Sequence, residues 1–269
     1  MKLSPIPHPL NTNPVKAVLF DLGETLLEFG RIKPLALFFE GARTSFNYLK
    51  ELGEPVSCFA FYCIHSMVSL YLHRLISWIT GNDFNAMELL KRIGSSKSFI
   101  LSEEQWCEYA WCWYEPLERI GRVEEGIKET LGKLKDMGLK LAIVSNTFVP
   151  SSSLERHLKQ MGILDFFDVR LYSYEFDFRK PDVRIFKAAV DRIGENVENT
   201  LFVGDRINTD IIPALKTGMY AVLKNAYTNA GKYHPPGALK IEKLSELPGL
   251  VEKINCGSAV RHPVDYGQR

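Results

Sequence analysis

The chain is short of several features that would point its function elsewhere. It has no surplus of either charge sign: 33 Lys and Arg stand against 32 Asp and Glu, a net charge of +1. No bulk field therefore favours a nucleic acid or an anionic membrane as partner. Cysteine is sparse and unpatterned. Cys58, Cys63, Cys107, Cys112 and Cys256 form no CxxC pair and no zinc spacing with histidine. Their odd number, and the lack of a signal-peptide pattern in "MKLSPIPHPL", set the expectation of a reducing, cytoplasmic setting. Internal repeats and low-complexity tracts are missing too. So is an uninterrupted apolar run. "FAFYCIHSMVSLYLHRLISWIT", residues 59–80, is broken by His65, His73, Arg74 and three serines, whereas a spanning helix takes about 20 mostly apolar residues. The segment is expected to be a buried helix, or one at a domain or subunit interface.

What is present is an ordinary globular composition, 46% apolar and 24% charged over 269 residues. That suits one large or two modest domains. The first dozen residues, rich in Pro and Asn, read as an irregular arm. Residues 17–20, Ala-Val-Leu-Phe, form the wholly apolar run of a strand covered on both faces. From about 30 to 120 the periodicity is helical. Leu35, Phe38, Phe39, Ala42, Phe46 and Leu49 share a helical face that stops at Gly53. Ser102 and Gln105 form a capping-box pattern. Trp106, Trp111, Trp113 and Tyr114 follow it and are read first as packing, with a pocket wall as the alternative.

From about 121 helices and strands alternate. A helix carries Ile127, Leu131 and Leu134 and closes at Gly138; a strand follows over 139–144. Ser152 and Glu155 read as the capping box of the next helix, and Gly162 closes it. A strand over 168–173, a helix with Pro181 near its first turn, a strand over 200–203, a short helix over 210–217 and a strand over 219–224 complete the series. The alternation predicts an α/β, Rossmann-like parallel-sheet core with helices on both faces. In such sheets ligands bind at the carboxyl ends of the strands. Asp21 follows the first strand, Ser145 and Asn146 the second, and Gly204 and Asp205 a later one, with Asp210 close behind. "FRKPD" brings Lys180 into a loop before a helix. Any one of these is equally well a turn former or a helix cap. Together they predict convergence on one crevice.

Four motifs in order, "FDLGETL", "IVSNT", "FRKPD" and "VGDRINTD", resemble those of the haloacid dehalogenase-like (HAD) hydrolase superfamily. The resemblance covers roughly 15–28 and 121–225. It implies a HAD-like core over 1–28 and 121–256, an all-helical cap over 29–120 and an irregular tail over 257–269. It further implies Asp21 as the nucleophile of a phosphatase acting on a small phosphorylated metabolite through an aspartyl-phosphate. Mg²⁺ would be held by Asp21, the backbone carbonyl of Gly23, Asp205 and Asp210. Ser145, Asn146 and Lys180 would bind the phosphoryl group, and Thr25 would fix the loop after Asp21 at the substrate end.

At one position the chain departs from the pattern. Family phosphatases carry a second aspartate two residues after the nucleophile as general acid and base, and here that position is Gly23. Metal and phosphate binding are expected to survive while proton transfer is impaired or relocated, to Glu24, or to His65, His73 or Glu28 from the cap side; Arg206 is read either as a substrate contact or as a surface residue. The alternatives are a non-catalytic Mg²⁺- and phosphate-binding regulator, or a dehalogenase- or phosphonatase-type hydrolase. Phosphonate cleavage would need a cap lysine, and Lys33, Lys50, Lys91 and Lys97 sit in no recognisable motif; dehalogenation is disfavoured because "VGDRINTD" keeps its acidic residues. A homodimer is the one macromolecular partnership left open.

Overall fold

The computed structural model describes residues 13–257. The N-terminal arm and the tail beyond 257 lie outside the described residues. Six strands form one sheet: β1 (Ala17–Phe20), β2 (Lys140–Ser145), β3 (Val169–Tyr172), β4 (Thr200–Gly204), β5 (Tyr220–Lys224) and β6 (Leu239–Ile241). Their order is β3-β2-β1-β4-β5-β6 and every pairing is parallel. β1 is central, and its wholly apolar sequence follows from that place. Val18 and Phe20 enter the apolar cluster on one face, Ala17 and Leu19 the cluster on the other, as alternation along a strand requires. β6, at the edge, carried no sequence signal of its own.

Between β1 and β2 the chain is helical: α1 (Pro34–Glu51), α2 (Phe59–Thr80), α3 (Ala86–Ser96) and α4 (Glu103–Glu118). Pro34 opens α1, where its missing N–H costs nothing. The capping box of Ser102 and Gln105 forms at the start of α4. Trp106 and Tyr109 pack with Ala42, Leu49, Tyr62 and Phe99 inside this insert, while Trp111 and Tyr114 reach the core cluster beneath the sheet. The insert is latched to the core. Asp83 receives Arg179 at 2.5 Å and the Ser173 hydroxyl at 2.5 Å, the Ala86 N–H donates to Phe148 O at 3.0 Å, and Phe84 stacks on Phe148.

The remaining helices are α5 (Ile127–Asp136), α6 (Ser151–Gln160), α7 (Val183–Ile193), α8 (Ile212–Thr217) and α9 (Leu247–Asn255). Three expectations about helix starts need correction. The Ser152–Glu155 capping box does not form: the cap position falls on Pro150, the Ser152 hydroxyl is buried without a partner, and Glu155 instead receives Arg170 at 2.9 Å. Pro150 starts the helix early, which leaves Ser152 inside its first turn. Pro181 precedes α7, whose cap is Asp182, accepting from the Arg184 N–H at 2.9 Å. The helix expected from 210 begins at 212, after a wide turn over Ile207–Ile211. The apolar segment 59–80 is indeed helical, but it is not buried: only Tyr62, Cys63 and Ser77 are. No helix among the described residues is long and apolar enough to cross a membrane.

Candidate active site

The carboxyl ends of β1, β2 and β4 meet at a crevice of about 210 Å³, lined by Asp21, Gly23, Ser145, Asn146, Lys180 and Asp210 among others. Asp21 is anchored by its N–H, which donates to Val203 O at 2.9 Å. The Lys180 ammonium lies 2.5 Å from Asp21 Oδ1 and 2.8 Å from Asp210 Oδ1. It is 3% exposed, so it stays charged only because these carboxylates surround it. Burial alone would push its pKa down, but Asp21 and Asp210 outweigh that and hold it above the usual lysine value.

Asp205 completes an acidic cluster. Asp21, Asp205 and Asp210 each offer a carboxylate oxygen within 4.8 Å of the others. Burial raises both Asp205 and Asp210 above the usual carboxylate range; neighbouring Asp21 adds to it, and Lys180 partly offsets it at Asp210. The backbone N–H of Arg206 fixes Asp210 Oδ2 at 2.9 Å. Asp205 Oδ2 accepts from the Thr228 hydroxyl, whereas Asp205 Oδ1 is buried with no hydrogen-bond partner. A buried, unsatisfied carboxylate oxygen is costly. Three carboxylates around one ammonium leave a formal charge of −2. Hard oxygens and that charge fit a small divalent cation. Gly204 makes the packing feasible, since a Cβ there would stand 2.6 Å from Asp210 Cβ.

Other sequence candidates fall differently. Asn146 lies on the wall, but both ends of its amide hold Lys180: Nδ2 donates to Lys180 O at 2.7 Å and Oδ1 accepts from the Lys180 N–H at 2.9 Å. Thr25 is not on the wall; it is 1% exposed and its hydroxyl has no partner. Glu24 is turned away. At φ 59° its side chain accepts from the N–H groups of Phe29 and Gly30 at 3.0 and 3.1 Å, bracing the chain as it enters the insert. Glu28 is paired with Lys224 at 2.5 Å. His73 Nδ1 is 2.8 Å from Ser69 O on its own helix, and neither it nor His65 lines the crevice. Arg206 does line it. Lys180 is the one lysine on the wall among the described residues; Lys91 is paired with Glu103 at 2.6 Å.

Sequence reasoning missed Asn229, whose amide spans Asp205 O and Lys224 O at 2.8 Å each. It also missed His157, on α6, which shares a 2.9 Å hydrogen bond with the Tyr114 hydroxyl behind the crevice wall. Burial pushes the His157 imidazole down to about 4. Between pH 6.5 and about 4 the unfolded chain takes up a proton there and the folded chain does not, so this group's contribution to stability falls as pH falls through that window. The loss is expected to reach about 3 kcal/mol. The raised Asp205 and Asp210 work in the opposite sense. Urea melts at pH 4.5, 5.5 and 7 should therefore be read as the difference between wild type and His157→Gln, which should shrink as pH falls.

Residues 15–218 match the haloacid dehalogenase-like hydrolase family. The chain belongs to that family. It is similar to the glyceraldehyde 3-phosphate phosphatase of Methanocaldococcus jannaschii, at 40% identity over 128 residues, which are 47% of this chain and 55% of that protein. The chain thus spans about half the length of that relative. It is also similar to the enzyme of the same name from Methanothermobacter thermautotrophicus, at 29% identity over 243 residues, covering 88% of this chain and 99% of that one. Among solved structures, a HAD phosphatase from Thermococcus onnurineus superposes with a TM-score of 0.56 at 25% identity, over 88% of this chain and 98% of that one. In this HAD-like hydrolase the position two residues after Asp21 is bare. A Cβ at Gly23 would meet nothing within 4 Å.

Proposed function

We propose that this hydrolase cleaves phosphate monoesters of small metabolites, with Mg²⁺ held by Asp21, Asp205, Asp210 and the Gly23 carbonyl. The observation that supports this reading is the buried Asp21–Lys180–Asp210 array with Asp205 beside it. The core, 1–28 and 121–256, would carry the chemistry, and the insert, 29–120, the choice of substrate. The bound ion would neutralise charge on the phosphoryl oxygens. Asp21 attacks phosphorus, the bond to the leaving oxygen breaks, and that oxygen departs with the electron pair. Lys180 and Ser145 hold the phosphoryl oxygens as charge builds there. Asn146 keeps Lys180 in place. Water then attacks the aspartyl-phosphate at phosphorus, which frees phosphate and restores Asp21.

The proton is the weak point. Asp21 and Asp210 are the only carboxylates on the described wall, no imidazole lines it, and both carboxylates are engaged by Lys180. Phe29, Tyr114, Leu117, Val149 and Leu154 make the rest of the wall largely apolar. Such a site favours a leaving group that departs as a stable anion, an aryl, enol or acyl phosphate. With Mg²⁺, kcat/KM for 4-nitrophenyl phosphate and acetyl phosphate is expected to exceed that for glycerol phosphate by at least about 10²-fold, the scale of missing acid catalysis, and chelation should remove all turnover. Equal rates on both classes would overturn the leaving-group reading. Calorimetric Mg²⁺ binding with no turnover on either class would favour the regulator that Gly23 makes a real second reading. The five cysteines are free, which accords with the cytoplasmic setting we propose.

A further inference from the structure

The helical insert leaves one face uncovered. α2 contains no Asp, Glu or Lys. Its inner side packs on α1, while Phe61, Ile64, Val68, Tyr71, Leu75 and Trp78 stand on its outer side, from 39% to 76% exposed. Their spacing alternates between three and four residues over the length of the helix. That is the 3.5-residue seam by which one helix packs along another, and here it faces solvent. Leu72, Ile76 and Ile79 are exposed beside it and widen it.

We propose that this face is a two-fold symmetric interface in which α2 packs antiparallel on α2 of a second copy of the chain. The proposal is independent of the chemistry in the crevice. In an antiparallel pair the two kinds of seam position meet each other. With the two-fold axis between positions 69 and 70, Phe61 faces Trp78, Ile64 faces Leu75 and Val68 faces Tyr71 of the second copy. Every layer is apolar, and the central one sets a small side chain against a large one. The area is sufficient. The six seam side chains, with Leu72 and Ile79 flanking them, present roughly 100 Å² each, so roughly 800 Å² per copy, on the scale of the ~800 Å² per partner of a standard interface. Little charge opposes it: the Lys97 ammonium, 5.8 Å from the Phe61 ring, stands only at the end of the seam. Arg74 is the one Arg of α2, and its guanidinium lies 6.0 Å from the Phe148 ring of its own chain. Depletion of charge is what marks an interface centre. A self-complementary contact of this kind closes at two copies. A helix lying on a lipid surface would instead carry several Lys and Arg on its polar face.

Sedimentation equilibrium of the full chain at 1–50 μM tests this. A dimer of twice the 30.6 kDa chain mass is expected. Val68→Glu sets two carboxylates beside the axis and should raise the dissociation constant at least 100-fold with the far-ultraviolet spectrum unchanged. For register, Phe61→Cys and Trp78→Cys chains, each also carrying Cys58→Ser and Cys256→Ser, should form a disulfide when mixed and none when oxidised alone. In the proposed pair, like positions lie about 25 Å apart along the axis. A monomer at 50 μM, a dimer indifferent to Val68→Glu, cross-linking of Phe61→Cys to itself, or a monomer that partitions onto phosphatidylcholine–phosphatidylserine vesicles would each overturn the proposal.

Discussion

Gly23→Asp is expected to raise kcat on alkyl phosphates by about 10²–10⁴-fold, the usual yield of a placed general acid and base. In barrier terms that is about 3–5 kcal/mol. Two features of the site support so large a gain from one substitution. Gly23 lines the crevice, and its missing side chain leaves open space, with nothing within 4 Å of a Cβ built there. Its backbone also lies outside the left-handed region that would strain an aspartate. Aryl phosphates should gain far less, because their leaving groups need little protonation. Steady-state kinetics of both variants on both classes give the ratio. An equal gain on the two classes would mean that the new carboxylate acts through metal or phosphate binding instead.

The second large effect is a loss. Asp21→Asn should lower turnover of acetyl phosphate and 4-nitrophenyl phosphate by about 10⁵-fold or more, on the scale felt when a covalent nucleophile is removed from other hydrolases. The fold should survive it. Lys180 keeps Asp210 at 2.8 Å, and the Asp21 N–H still has Val203 O. The Gly23→Asp, Asp21→Asn double variant should be as inert as Asp21→Asn alone, since a proton donor is useless without the attacking carboxylate. Residual turnover in the double variant would place the nucleophile at position 23. Thermal melts beside the assays separate lost chemistry from lost structure.

Several parts of the candidate site legible in the sequence sit at strand ends: Asp21, Ser145 and Asp205 follow or close β1, β2 and β4, and an apolar run stopping at a polar residue is a local signal. Asp210, in the turn over Ile207–Ile211, and Lys180, in the loop before α7, were legible only through the motifs around them. The environment that tunes them was not legible. The Thr228 hydroxyl and the Asn229 amide reach Asp205 across more than twenty residues of chain, and nothing in their own neighbourhood marks them. Glu24 illustrates the limit from the other side. Sequence position offered it as one stand-in for a missing acid, with its side chain expected to point elsewhere; where it points was not legible, and a left-handed backbone turns its carboxylate onto Phe29 and Gly30. The apolar stretch 59–80 was legible as a helix, but which way its apolar side faced depends on α1, and only the packed insert decides that.

Arg179, which Asp83 grips, is the chain neighbour of Lys180. Tension applied to the insert therefore arrives one peptide away from the ammonium that pairs with Asp21 and Asp210 and that we propose holds the phosphoryl group. Such mechanical adjacency is reciprocal by thermodynamic necessity. If an anion in the crevice tightens the grip on Asp83 by some factor, then anything that steadies the insert from outside strengthens anion capture by the same factor.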